Sequence, residues 1–325
     1  MTRPLPAPEL SGLLTQWSWQ PLALLAVAAL GWWYARAVRK VTAGGRRWPV
    51  GRSVLFGLGL ALFLWTTSGF LQAYLPALFW VWTTQTLILL LIVPLLLLFG
   101  QPLQLARLRS GHAGLVHRVL RSRAGRFLAN PLVGPALVPL LSAVLFFGPL
   151  PAWVVQAPPL GWLLHLLLVA VGGLIVLPLV DADDDPSSLA VGLALAIGSF
   201  ELVLDAIPGI ALRLHATLVT SYFDHRTKYS WSPGDLHDQQ IAGAVLWCVA
   251  ELIDLPFLLL VFRRWLRADA RDAAAADAIL DAERTARRGL PDSDAPGGAA
   301  AGDEAADAPW WLSDPTMRQR LRRRP

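Results

Sequence analysis

The sequence predicts an all-α membrane protein, a seven-transmembrane helical bundle with its N-terminus outside and its C-terminus in the cytoplasm. Of its 325 residues, 55% are hydrophobic and 16% are charged, whereas soluble domains carry roughly a quarter charged residues. Apolar stretches of about 17–25 residues, the length needed to cross a bilayer, recur along the chain. The basic residues lie in short loops beside these stretches, so the isoelectric point of about 10 indicates membrane orientation and not nucleic-acid binding.

The chain divides into an external segment (residues 1–20), a membrane domain (residues 21–262) and a cytoplasmic tail (residues 263–325). The first span is not predicted to be a cleaved signal peptide, because its basic residues follow the apolar run instead of preceding it. The seven predicted spans are Pro21–Val38, Ser53–Tyr74, Leu78–Phe99, Pro131–Trp153, Leu160–Val180, Leu189–Ala211 and Gln240–Val261.

The orientation follows from the loops. Residues 36–52 and residues 107–126 each contain six basic side chains, and the start of the tail contains three more. The turn near Pro76 and residues 149–160 contain none. Because short cytoplasmic loops are enriched in Lys and Arg, the basic loops are predicted to be inside.

The tail is predicted to begin as a charged, Ala-rich helix and then to become disordered, because residues 291–309 are too polar to bury a core. Its Trp310 and Trp311 precede a run of arginines that could contact the inner leaflet, a partner or only solvent. Cys248 is the single cysteine, which excludes an intrachain disulfide.

Four carboxylates lie inside predicted spans: Glu201 and Asp205 in span six, Glu251 and Asp254 in span seven. Each costs about 2.5–3.5 kcal/mol at the centre of a bilayer on insertion scales. No Lys or Arg lies within a span core to neutralise them. They must be protonated, share protons or hold a cation, and Glu251 is expected to face Glu201 near the middle of the bilayer.

Other polar residues are predicted to extend this group into a column that leads inward from the external face. His165 in span five lies at about the depth of Asp205, and Gln85 lies in the outer half of span three. The column could hold an ion or relay protons, and His165, Glu201 and Glu251 are its candidate metal ligands. A role limited to helix packing, with neutral carboxyl groups bonded to neighbouring helices, stays open.

Two other clusters indicate ordinary surface residues more strongly than sites. Residues 181–186 form an acidic turn that lacks the glycine and spacing of a calcium loop. The external loop has histidines and carboxylates at spacings that match no compact metal motif: His215, His225, His237, Asp224, Asp235 and Asp238. The chain also lacks a nucleophile with a base, a phosphate loop and a dinucleotide fingerprint, so it is not expected to be an enzyme.

Four stretches together resemble the CtaG-type cytochrome c oxidase assembly factors, especially the actinobacterial members. They begin at Trp82 ("WTTQTLILLLIVPLLLLFGQPLQLA"), His165 ("HLLLVAVGGLIVLPLV"), Ser232 ("SPGDLHDQQIAGAVLW", running into "ELIDLP") and Pro309 ("PWWLSDP"). The residues that match the family pattern are Gln85, Pro94, Gly100, Pro102, His165, Asp238, Gln239, Gly243, Trp247 and Glu251.

The resemblance implies a multi-pass protein of the bacterial plasma membrane that assists the maturation of a haem–copper oxidase. The implied partners are oxidase subunits within the lipid bilayer, and the implied cofactor is copper, which the chain would help to deliver. Two histidines common in the family are replaced here by Trp82 and Thr86, and the methionines are only Met1 and Met317, so a Met-rich copper path is excluded. The alternative is a small cation- or proton-coupled transporter that uses the same carboxylates.

The predicted orientation can be tested with a reporter protein fused after Arg267. Because the basic loops alternate with uncharged ones, we expect a reporter that is active only in the cytoplasm to be active in this fusion. Activity of a reporter that works only outside the cytoplasm would show that the seven-span arrangement is wrong.

Overall fold

The computed structural model describes residues 5–110, 133–180 and 188–289, and these ranges are helical and contain no strand. Two compact units are distinguished, Met1–Ala270 and Arg271–Pro325. The helices are α1 (Gly12–Thr15), α2 (Pro21–Ala43), α3 (Val50–Ser68), α4 (Phe70–Tyr74), α5 (Phe79–Leu87), a π-helical segment (Ile88–Ile92), α6 (Val93–Phe99), α7 (Pro102–Ser110), α8 (Val133–Phe146), α9 (Leu150–Gln156), α10 (Pro158–Val180), α11 (Ser188–Leu214), α12 (Tyr222–His225) and α13 (Asp235–Gly289).

Within the described ranges, five helical stretches are long and apolar enough to cross a membrane: Pro21–Ala43, Val50–Tyr74, Phe79–Phe99, Pro158–Val176 and Val191–Leu214. The predicted all-helical class is therefore confirmed for the described residues, and five of the predicted spans correspond to helices with the length and composition to cross a membrane. Predicted span four includes α8 and α9, and its first residues lie outside the described ranges. Predicted span seven is part of the long helix α13. The count of seven and the orientation stay predictions.

The helix of predicted span two is interrupted at Gly69, where the backbone leaves the helical conformation (φ −90°, ψ −151°). A Cβ atom at this position would lie 2.5 Å from the Trp65 carbonyl oxygen. At the interruption, carbonyl groups of the last turn lose the N–H donors that a continuous helix would supply. In a bilayer these carbonyl groups need other hydrogen-bond donors. The Gln85 amide donates to the Thr66 carbonyl at 2.9 Å, and the Ser18 N–H donates to the Ser68 carbonyl at 2.6 Å.

Predicted span three contains a second irregularity, the π-helical segment between α5 and α6. Pro94 has no N–H group to donate to the Leu90 carbonyl, and a π-helical turn accommodates such a local mismatch. The Leu90 carbonyl lies against Gly172 of α10, where a Cβ atom would collide with it and would lie 2.8 Å from the Pro94 ring. Gly172 therefore permits the close approach of α10 to this segment.

The packing produces one main core with buried residues from six of the predicted spans and from the last turn of α11, just past predicted span six. Helix α10 packs on α6 and the π-helical segment, α8 on α11, and α2 on α3 and α7. The Trp82 indole donates to the Leu145 carbonyl at 3.1 Å, which ties predicted span three to predicted span four. One buried residue from each of the helices concerned, in chain order, is Ala23, Phe63, Trp82, Leu145, Leu164, Leu212 and Leu246.

Gly172→Ala is expected to destabilise the bundle by about 1–3 kcal/mol, the usual cost of overpacking a core, because the methyl group meets a backbone carbonyl that cannot rotate away. Thermal unfolding of the purified protein in detergent measures the effect. The adjacent Gly173→Ala is the matched control, since a Cβ atom there has no neighbour within 4 Å. Equal stability of the two variants would contradict the predicted close contact.

Candidate functional site

The segment between α11 and α13, residues 215–234, lies over the bundle end that the sequence predicts to be external. It carries α12 and is bonded to two neighbouring turns. The Thr227 N–H donates to the Pro76 carbonyl at 2.7 Å, and the Tyr222 hydroxyl donates to the Leu75 carbonyl at 2.6 Å. The Thr220 hydroxyl donates to the Gly148 carbonyl at 3.0 Å. These bonds attach the segment to the turn between spans two and three and to the turn after α8.

Asp238, on the first turn of α13, is fully buried and joins this segment to α5. Its carboxylate accepts hydrogen bonds from the Phe79 N–H at 2.9 Å and the Trp80 N–H at 3.1 Å. No side chain from the preceding residue caps α5. Since the first N–H groups of a helix have no intrahelical partner and favour an anion, Asp238 acts as the N-cap of α5 from 159 residues away in the chain.

Arg226 is the cation that faces this carboxylate. Its guanidinium group is buried, donates to Asp238 at 2.9 Å and lies 2.5 Å from Asp235. It also donates to the carbonyls of Ala77 at 3.1 Å and Pro233 at 2.9 Å. A buried guanidinium needs such partners, and the two terminal nitrogens of Arg226 have them in two carboxylates and two carbonyl groups. These contacts hold together the segment, the turn before α5 and the start of α13.

The electrostatic environment of Asp238 reflects two opposing influences. Burial raises the pKa of the Asp238 carboxyl group above its ordinary value, while the N–H groups of Phe79 and Trp80 and the Arg226 guanidinium oppose that rise. Burial also raises the pKa of Tyr222 well above its ordinary value, so its hydroxyl group stays a donor to the Leu75 carbonyl.

Gln239 provides a further attachment next to Asp238. Its side-chain oxygen accepts from the Val219 N–H at 2.9 Å, and its amide nitrogen donates to the Thr217 carbonyl at 2.9 Å. Asp238 and Gln239, two residues of the family pattern, therefore both act as structural anchors of the external segment in this protein.

The histidines of the same segment do not join these carboxylates in a metal site. His215, His225 and His237 are exposed, and Asp235 is bound to Arg226 and to Lys228. Among the residues that the structure describes, no group of three or more His, Cys, Asp or Glu side chains could hold a metal ion. The interpretation of these histidines as surface residues agrees with their exposure.

The carboxylates of spans six and seven lie along the contact between α11 and α13, which run antiparallel. A Cβ atom on Gly209 would be 2.7 Å from the Trp247 nitrogen, and one on Gly243 would be 2.5 Å from the Arg213 nitrogen. Further along, one on Gly198 would meet Leu258 at 3.2 Å. The glycines thus allow the two helix backbones to approach closely.

This contact sets the register of the carboxylates. Asp205 precedes Gly209 by four residues and Glu251 follows Trp247 by four, so these two positions are level. Similarly, positions 201 and 254 are nearly level, about one turn closer to the predicted cytoplasmic end. Glu251 is expected to face Glu201, but the Gly209–Trp247 contact places Asp205, one helical turn from Glu201, at the level of Glu251.

The described side chains in this region are only partly buried. Glu251 accepts a hydrogen bond from the Trp247 indole at 3.3 Å, which orients its carboxyl group. Asp205 is likewise partly exposed, with one oxygen buried. The side chains of Glu201 and Asp254 lie outside the described part, so the structure places only their backbone positions.

His165 and Gln85 take different positions from those expected for a single column. His165 is buried on α10, packs edge-on against Trp162 at 5.6 Å between ring centroids, and has no partner for its Nδ1 atom. Gln85 donates to Thr66 and Gln72 of predicted span two. Within the described side chains, no hydrogen bond joins either residue to the carboxylates of α11 and α13.

The remaining family-pattern residues act through packing. Pro94 and Gly243 accompany the close helix contacts described above, and Pro102 begins α7. The Gly100 carbonyl accepts the Tyr34 hydroxyl at 2.8 Å, and a Cβ atom on Gly100 would lie 2.7 Å from Phe56.

Sequence reasoning missed Arg226, whose guanidinium completes the outer anchor. A signal for it was present, since a basic residue in an external loop departs from the distribution of positive charge that orients membrane proteins. The acidic residues at the start of α13, Asp235 and Asp238, supply the partners that explain this departure.

Comparisons with known proteins identify related chains. A family model described as "Cytochrome c oxidase caa3 assembly factor (Caa3_CtaG)" matches residues 32–268. The uncharacterized protein Mb0105 of Mycobacterium bovis is 26% identical over 290 residues, which cover 85% of this chain and 43% of that protein. The uncharacterized protein MT0111 of Mycobacterium tuberculosis matches to the same extent. The uncharacterized protein ML1998 of Mycobacterium leprae is 26% identical over 292 residues, 84% of this chain and 43% of that protein.

The chain thus spans less than half the length of these curated relatives. No solved structure matches it.

Asp238→Ala is expected to lower the stability of the protein by about 3–5 kcal/mol, because it leaves a buried guanidinium and two helix N–H groups without their acceptor. Asp238→Asn keeps one acceptor oxygen and should lose less. The midpoint of denaturant-induced unfolding in detergent measures both effects. The exposed Asp224→Ala, on the same segment, should stay within about 0.5 kcal/mol of the unsubstituted protein, and a similar change in all three variants would refute the anchoring role.

Proposed function

The chain belongs to the cytochrome c oxidase caa3 assembly factor family, and from this premise we propose that it assists the maturation of a haem–copper oxidase within the bacterial plasma membrane. The family match carries the proposal, because it extends from α2 to the part of α13 that follows the predicted seventh span. The implied role is non-catalytic, and the implied partners are oxidase subunits that meet the chain in the bilayer.

The geometry supports this role because the anchored regions of the bundle are separate from the stretches of α11 and α13 that carry the carboxylates. The ion pair of Asp238 and Arg226 anchors the external segment, and Gln85 and Gly172 hold predicted spans two, three and five together. Helices α11 and α13 instead meet along glycines and carry ionisable groups next to partly exposed surfaces. An assembly factor needs such a surface for transient contact with a client subunit.

We further propose that the chain helps to deliver copper to the oxidase, with copper as its cargo. His165, Glu201 and Glu251 are the residues assigned to contact the ion, and the register adds Asp205 at the level of Glu251. Imidazole and carboxylate groups suit Cu(II) better than Cu(I), which prefers sulfur ligands. The described side chains form no site with three such ligands, so we propose brief contact during transfer and not storage.

A transporter that uses the same carboxylates was the alternative, and neither the family match nor the relatives favour it. Vesicles that contain only the purified chain distinguish the two functions. An assembly factor is expected to move no cation or proton across these vesicles beyond the leak of protein-free vesicles, whereas a transporter would move its solute by itself.

Deletion of the gene, in a strain without a second copy, tests the proposed function. We expect oxygen consumption with reduced cytochrome c to fall several-fold and the copper content of the oxidase to fall with it, while oxidase transcripts stay unchanged. Normal oxidase activity together with normal oxidase copper would remove this function.

Glu251→Gln, expressed in the deletion strain, tests the proposed role of this carboxylate in copper delivery. The amide keeps the oxygen that accepts the Trp247 indole bond, and a neutral hydrogen bond contributes only about 1 kcal/mol, so the protein is expected to insert at normal levels. Loss of the ionisable group should nevertheless reduce oxidase activity to the level of the deletion strain.

Glu283→Gln is the matched control, because it makes the same change at an exposed position of the same helix beyond the predicted span. It should restore oxidase activity fully. Full activity from Glu251→Gln, or from Glu201→Gln combined with Glu251→Gln, would show that these carboxylates serve only to pack helices.

A further inference from the structure

The charged residues in one long stretch of the chain, residues 10–180, are all basic. Between Glu9 and Asp181 the sequence contains no Asp or Glu, yet it contains twelve Lys and Arg residues. Six lie in residues 36–52 and six in residues 107–126. Acidic residues of the same segment therefore cannot neutralise these cations.

The structure brings the starts of both basic segments to the same end of the bundle. The Tyr34 hydroxyl, near the end of α2, donates to the Gly100 carbonyl just before α7, at 2.8 Å. The Arg52 guanidinium on α3 donates to the side-chain oxygen of Gln104 on α7. Since α2 also packs on α7, the loop between α2 and α3 and the helix that carries Arg107 and Arg109 share one surface.

Among the residues that the structure describes, Arg52 is held in place on this surface by an aromatic ring and an amide and by no carboxylate. Its guanidinium lies 5.1 Å from the centre of the Trp48 ring, which is fixed by a 3.2 Å hydrogen bond from the indole to the Tyr34 hydroxyl. Arg36 is placed similarly over Trp32 at 5.1 Å. An arginine that stacks on a ring and has one donor bound keeps its other N–H groups available for an anion.

We propose that this surface, formed by the α2–α3 loop and α7, binds the phosphate of an anionic phospholipid headgroup, with Arg52 as the central contact and Arg46 and Arg47 as flanking contacts. Guanidinium groups match phosphate oxygens in geometry, and the exposed Trp32 and the partly exposed Trp48 suit the level of lipid headgroups. Basic clusters directly next to membrane helices attract anionic lipids. This site is separate from the carboxylates of α11 and α13.

The test measures lipid that stays bound to the purified full chain after gel filtration in a neutral detergent. The protein is loaded with either phosphatidylglycerol or phosphatidylcholine, and the retained lipid is counted by mass spectrometry. We expect retention of phosphatidylglycerol over phosphatidylcholine, with a loss of this preference as the salt concentration rises. An equal concentration of inorganic phosphate should not displace the lipid, because the acyl chains also contribute to binding.

Arg52→Gln should weaken phosphatidylglycerol binding about fivefold, the effect of one basic group near an anionic surface. Arg46→Gln combined with Arg47→Gln changes only exposed side chains, and so reports on the headgroup contact without altering the packing. Arg284→Gln, an exposed change elsewhere on the chain, is the control and should bind like the unsubstituted protein. Equal retention of the two lipids, or unchanged binding by both the Arg52 and the double variant, would overturn the proposal.

Discussion

The buried carboxylate of Asp238 is the interaction on which one end of the bundle, predicted to be the external end, depends. It supplies the acceptor for the first N–H groups of α5 and the counter-ion for Arg226, so one side chain joins α5, α13 and the external segment between α11 and α13. Each of these groups would be costly to bury without a partner. Their mutual pairing allows an external loop to form part of the protein interior.

The same requirement governs the interrupted helices inside the bundle. Because hydrocarbon offers no hydrogen bonds to the backbone, a helix can break in a bilayer only where neighbours satisfy the freed carbonyl groups. Gln85 does this at the Gly69 break, and Gly172 lets α10 pack directly against the irregular turn before Pro94. Several residues of the family pattern thus preserve unusual backbone geometry.

The candidate carboxylates lie on a closely packed pair of helices. Glycines bring α11 and α13 together, and Asp205 and Glu251 occupy level positions on that contact with partial exposure. The family of oxidase assembly factors to which the chain belongs is the context in which we propose that these carboxylates contact a client subunit and its metal. At the end of the bundle that is predicted to be cytoplasmic, the α2–α3 loop, Arg52 and α7 form the surface that we propose binds lipid headgroups.

The sequence by itself determined the membrane environment, the helical class and several spans, because hydropathy and loop charge depend directly on the bilayer. It also determined the family, because the family pattern lies in local stretches of the chain. It also located the carboxylates on the sixth and seventh predicted spans. Only the tertiary structure decided which residues are partners: Arg226 bonds Asp238, and Gln85 bonds Thr66 and Gln72. It also decided that Asp205 lies at the level of Glu251. Such pairings depend on how closely two helix backbones approach and in which register, and these follow from the packing of residues that are distant in the chain.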